Sequence, residues 1–164
     1  MTIFVSSAAD LVAMINVASG LSLVEADVVF GTPRAATGAE VTKYGKNTAI
    51  QVNSAPASTK TVGFTTVFYD RIPLQPLENF NLNLCVCPDA APVATWVPIV
   101  FAYTRVPFLV SELVDNPSFT ADGKVNVKIE VGPNHLGWTG SATLKFGGYP
   151  DIATAFNGNT LQAF

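Results

Sequence analysis

His135 is the only histidine of the 164-residue chain, and Cys85 and Cys87 are its only cysteines, so the residue types that most often carry chemistry are few. A Ser-His-acid triad has to use His135, which lies in the loop-like sequence Gly132-Pro-Asn-His-Leu-Gly137, and no GxSxG nucleophile elbow is present. His135 therefore reads first as a solvated loop residue, next as a partner contact and last as a catalytic base. Cys85-Val-Cys87 in an extended segment puts both thiols on one face, with Cα atoms near the upper limit for bridging. A mutual disulfide is not expected, which fits folding in a reducing compartment, and a metal site wants more ligands than these. Twelve acidic residues offer many carboxylate pairs, but nothing singles out two for glycoside chemistry. Asp115, Asp122 and Asp151 stand beside Asn, Gly or Pro and read as turn residues, too sparse for a calcium loop. No GxGxxG follows a strand and opens a helix, and no GxxxxGK phosphate loop occurs. The expectation is a non-enzyme, without cofactor or metal, for which a small-molecule ligand is disfavoured.

Large apolar groups in exposed-looking segments are the better clue. Phe64 and Trp138 fall in two hairpin loops, either as contact anchors or as rings folded back on their own sheets. The segment Asp151 to Phe164 is interrupted by Gly and Asn and carries Ile152, Phe156, Leu161 and Phe164, as expected of a tail that docks on its own sheet or on a neighbour. Asn79, Asn81 and Asn83 together with Trp138 are the nearest approach to a carbohydrate- or receptor-binding surface, the alternative class.

These residues must be held by a scaffold rich in strands. Ser7-Ala-Ala-Asp10 matches a capping box ahead of Leu11, Met14, Ile15 and Ala18, a core-facing helical stripe closed by Gly20. Asp27 to Phe30 reads as a strand ended at Gly31-Thr-Pro33. Thr48, Ile50 and Val52 alternate with Ala49, Gln51 and Asn53, and Thr65, Val67 and Tyr69 return after a polar loop. Phe80, Leu82 and Leu84 alternate with asparagines. Val93 to Tyr103 is apolar on both faces and reads as a central strand, broken at Pro98. Val110 to Val114 reads as a short helical turn, and Val125 to Val131 and Ala142 to Phe146 as two more strands.

A shift of seventy-seven residues places Ile50 on Val127, Val52 on Ile129, Pro56 on Pro133, Gly63 on Gly140, Val67 on Leu144 and Tyr69 on Phe146, a repeated strand-loop-strand pattern. The expected fold class is mainly β, an antiparallel β-sandwich or partly closed barrel with one short N-terminal α-helix. It forms a single domain over residues 1–164 or two similar halves, about 1–105 and 106–164.

Composition narrows the partners. Nine basic and twelve acidic residues make only 13% charged side chains against 49% hydrophobic ones, where a soluble domain carries about 25% charged. Such a chain lacks the basic footprint of a direct nucleic-acid binder and the polarity of a disordered one. Met1 to Val5 makes a poor secretory signal, and the prolines between Ala90 and Pro107 interrupt any membrane span of about 20 apolar residues. The composition points to a subunit whose surface is covered by neighbours.

Asp27-Val-Val-Phe-Gly-Thr-Pro33, with Asn47-Thr48 leading to Val67-Phe-Tyr-Asp-Arg71 and Leu74, resembles small virion structural proteins of large-genome (jumbo) tailed bacteriophages. In that family a short N-terminal helix precedes a DVxFGTP-like segment and a hairpin of the NT…V…V.YxR type. The resemblance covers roughly the first half, and the Ser54 to Val62 loop departs from the family's Gly-rich loop. It implies a virion protein assembled in the bacterial host cytoplasm, whose partners are other virion proteins and further copies of itself, and it carries over no catalytic or ligand residue.

Overall fold

A computed structural model describes residues 6–78, 80–82, 87–104 and 108–147. The first helix, α1 (Ser7–Ser19), is capped by Ser6, whose hydroxyl accepts the Ala9 N–H at 3.0 Å, and it ends at Gly20. The cap falls one residue before the expected Ser7, whose N–H and hydroxyl instead bond the distant Glu112. A 3-10 turn, Glu25–Asp27, leads into β1 (Val28–Phe30) and β2 (Arg34–Ala35), followed by α2 (Gly38–Tyr44), β3 (Thr48–Ser54) and β4 (Phe64–Tyr69). β3 is central, with β4 antiparallel along one side and β1 and β2 end to end along the other. Between them the register slips by one residue at Gly31–Pro33, a bulge on an edge strand where proline is tolerated. Leu11 and Val12 of α1 pack on Val28, Ile50, Val52 and Tyr69 to make the first core.

The second set begins with β5 (Ile72–Pro73), a 3-10 turn at Gln75–Leu77, and β6 (Asn81–Leu82). Then come α3 (Val93–Thr104), a 3-10 turn at Val110–Glu112, β7 (Phe119–Ala121), β8 (Lys124–Glu130), β9 (Trp138–Thr139) and β10 (Ser141–Phe146). The sheet runs β6-β10-β8-β7, and β5 pairs with β9. β7 and β8 are joined through Asp122-Gly123, both at positive φ, the preferred chemistry of a two-residue hairpin turn. Val93, Trp96, Val97 and Val100 pack onto Val127, Ile129, Leu144 and Phe146.

Two expectations are corrected here. The segment Val93 to Tyr103 is a helix, not a central strand: its buried residues recur at i, i+3, i+4 and i+7, a period that an apolar run without polar neighbours conceals. Pro98 lies inside α3, in its second turn, where it cannot give the N–H bond to the Ala94 carbonyl, and Asp115 accepts the Val93 N–H at 3.2 Å to cap the helix. With α1, α2 and α3 the fold is mixed α/β, built of two four-stranded, largely antiparallel sheets, one packed against α1 and the other against α3, rather than a mainly-β sandwich or barrel. Among the described residues no helix is long and apolar enough to cross a membrane.

The repeat is present in the backbone and reaches further than its pattern in sequence. A shift of seventy-seven carries the β3–β4 ladder onto the β8–β10 ladder pair for pair, Thr48↔Tyr69 onto Val125↔Phe146 and Asn53↔Phe64 onto Glu130↔Ser141. Gly63 and Gly140 stand at φ +82° and +80°, a conformation open to glycine, and each accepts a backbone bond across the loop, from Ser54 and Val131. Upstream, with the β3 partner still shifted by seventy-seven, a shift of eighty-five on the other strand carries Val28↔Ser54 onto Leu113↔Val131 and Arg34↔Ala49 onto Phe119↔Asn126. The same shift carries the buried Leu11 and Val12 onto the buried Trp96 and Val97. The difference between the two shifts is the α2 excursion, which replaces the Asp122-Gly123 turn. The fully buried residues of the first core end at Tyr69 and those of the second begin at Leu74, with α3 in the second and Leu136 packed on the first.

Candidate functional site

His135 sits where the two units meet, and its side chain is only 4% exposed. The expected solvated loop residue is instead a buried one. Its Nδ1 accepts the N–H groups of Gly137 at 3.1 Å and Trp138 at 3.0 Å, and its Nε2 faces Glu112 Oε2 at 3.6 Å. The other oxygen of Glu112 accepts the Ser7 N–H at 2.9 Å and the Ser7 hydroxyl. Arg71 donates to the carbonyls of Pro133 at 3.1 Å and His135 at 3.3 Å. Burial pushes the imidazole below its ordinary pKa, against the pull of Glu112, and the nearby Arg71 charge lowers it further.

Serine, histidine and a carboxylate thus come together, but in an order that does not activate a nucleophile. The Ser7 hydroxyl donates to Glu112 rather than to His135, and the imidazole lone pair is already occupied by two backbone donors. The cluster is a latch tying the start of α1 to the second unit. Its counterpart in the first unit is Asp27, which the repeat places at Glu112, with Ser58 at the position of His135. Asp27 accepts from Lys60 Nζ at 2.9 Å, the Ser58 hydroxyl at 3.2 Å and the Val24 N–H at 2.9 Å. Lys60 foremost, then the Val24 N–H, holds this carboxyl below the usual range. Beside the latch lies a cleft of about 200 Å³ walled by Met14, Tyr69, Leu136 and Trp138. The Tyr69 hydroxyl is buried and has no hydrogen-bond partner among the described residues.

The two aromatic candidates part company. Trp138 is half-buried against the second core, its ring tilted on Phe108 with centroids 5.4 Å apart, and also walls the cleft beside the latch. Phe64 is 74% exposed at the start of β4, beside Val62 at 96%. Among the described residues β4 pairs with β3 alone, so its outer edge is open. Between that edge and α1 runs an apolar groove of about 310 Å³, walled by Met14, Ile15, Ala18, Thr65 and Val67, and a second hollow of about 230 Å³ continues it past Val62 and Phe64. The expected core stripe of α1 therefore splits: Leu11 is buried in the core and Ile15 packs on it at the groove's floor, while Met14 and Ala18 are exposed along the groove.

In the second unit the same positions are covered. Ala142 and Leu144, which match Thr65 and Val67, are 1% and 0% exposed, because Leu74, Leu82 and Cys87 fill the space beside α3 and β6 pairs with β10. Burial also raises the Cys87 thiol pKa, leaving it a core group. Cys85, Asn79, Asn83, Asp151, Ile152, Phe156, Leu161 and Phe164 lie outside the described residues. Sequence reasoning singled out Phe64 but missed the groove, since exposure of Met14 and Val62 is not encoded in their own types. The comparison of one repeat with the other reveals it.

The DUF7941 family matches residues 3–164, nearly the whole chain. The chain belongs to this family of unknown function. No curated protein and no solved structure matches it.

Proposed function

We propose that this chain is a non-enzymatic structural subunit that acts through protein–protein contacts in the virion of a tailed bacteriophage. The observation that carries the contact role is the open β4 edge with its apolar groove, where Val62 is 96% and Phe64 74% exposed. An unpaired edge beside exposed apolar side chains is a template for strand pairing, and a lone soluble domain ordinarily blunts it with charge. Here only 13% of all residues are charged. The latch around His135 supports the non-enzymatic reading, because its groups satisfy one another. The resemblance of Asp27 to Pro33 and of the first hairpin to virion proteins supports the setting, with other virion proteins and further copies as partners. Light scattering of the full chain across a concentration series tests the contact role. A discrete oligomer or mass growing with concentration is expected, and a mass of one chain at every concentration overturns it.

A further inference from the structure

We propose that the open groove of the first unit receives residues 148–164 of a second copy of this chain, an inference that rests on the assembly reading above. The repeat supplies the template. The chain leaving β4 crosses to the second unit, where Ile72 donates to the Gly137 carbonyl and Leu74 to the Thr139 carbonyl, both at 3.0 Å. It then adds β6 parallel to β10 and buries Leu74 completely. The first unit has the matching acceptors: the repeat places Lys60 at Gly137 and Val62 at Thr139, and among the described residues no strand pairs with them. The chain leaving β10 is the matching donor. Tyr149-Pro150 stands at the position of Ile72-Pro73, and the apolar Ile152, Phe156, Leu161 and Phe164 follow. Tyr149-Pro150 lies along Lys60 to Val62, and the apolar side chains that follow enter the groove between α1 and β4.

The way the units meet selects a second copy over the chain's own tail. Ser7 of the first unit bonds Glu112 of the second. A two-fold relation would also bring Asp27, the match of Glu112, against Pro92, the match of Ser7. Asp27 is instead bonded within its own unit, by Lys60, Ser58 and Val24. The contact is head-to-tail, and head-to-tail contacts repeat from copy to copy into rings or filaments. The free surface of the first unit is the one its own second unit presents to it.

The test uses two variants of the full chain. Val62→Asp/Phe64→Asp puts two charges in the groove at exposed positions, and a chain ending at Gly147 lacks the donor. Each alone is expected to show the mass of one chain at concentrations where the wild type assembles, and an equimolar mixture to give two-chain complexes and nothing larger. Wild-type assembly retained by both variants overturns the inference and leaves the assembly reading standing. A mixture that does not pair also overturns it. A wild type that is one chain at every concentration defeats both; if truncation then exposes Phe64, the groove holds its own tail.

Discussion

Lowering the pH from 7.5 to 5.0 should destabilise the protein through His135. The imidazole is 4% exposed, its Nδ1 accepts two backbone N–H groups, and the net effect of its surroundings is a pKa below the ordinary 6.5. The sign follows from linkage. Below about pH 6.5 the unfolded chain takes up a proton that the native state refuses, so stability is full above that pH and declines as pH falls toward the native pKa. One proton bound only by the unfolded chain corresponds to about 1.4 kcal/mol per pH unit, hence at most about 2 kcal/mol between pH 6.5 and 5.0. His135 is the only histidine, so the difference in slope between the wild type and a His135 variant isolates its share. Urea unfolding at one low protein concentration, at half-unit steps from pH 7.5 to 5.0, reads the slope. His135→Asn supplies an acceptor near Nδ1 without titrating, and it should flatten the slope even if its midpoint is lower throughout. An equal slope in wild type and variant would refute the reasoning.

Tyr69→Phe should leave stability unchanged or raise it by about 1 kcal/mol, because it removes a buried hydroxyl without a partner among the described residues and installs the residue its repeat position carries, Phe146. A lower melting temperature would contradict that. Leu144→Ala should cost about 2–5 kcal/mol and its match Val67→Ala about 1 kcal/mol, since the first is fully buried and the second borders the open groove; equal losses in denaturant midpoints would deny that the groove is open. Arg34 meets Glu40 through two short bonds and holds its carboxyl at about 2, so this pair stabilises above the unfolded carboxyl's pKa of about 4.5 and is lost as pH falls toward 2. Glu40→Gln should remove that acid dependence, read as a difference in acid unfolding midpoint.

Local pattern carried much of the fold. The α1 helix and the strands β3, β4, β8 and β10 stand where the periodicity of their apolar residues put them, because a strand or helix with one buried face shows that face as a repeat in the sequence, and the 3-10 turn at Val110–Glu112 falls within the expected short helical turn. The hairpin repeat was legible for the same reason. α3 was not: an apolar run on every side has no contrast to show its period. α2 was overlooked although Thr37 and Glu40 form a capping box and Gly45 ends the helix, since none of its residues is buried and no apolar stripe announces it.

The sequence by itself determined the scarcity of catalytic groups, the duplicated hairpin and the surplus of apolar side chains over charges. Only the tertiary structure decided which of those side chains stay uncovered. Ala142 and Thr65 occupy the same place in the repeat, yet one is 1% exposed and the other lies open. Exposure is set by what the chain brings from elsewhere: Leu74 and Leu82 reach the second unit, and no described segment reaches the first. His135 shows the same dependence, since a loop histidine becomes a buried acceptor only when the second hairpin meets the start of α1.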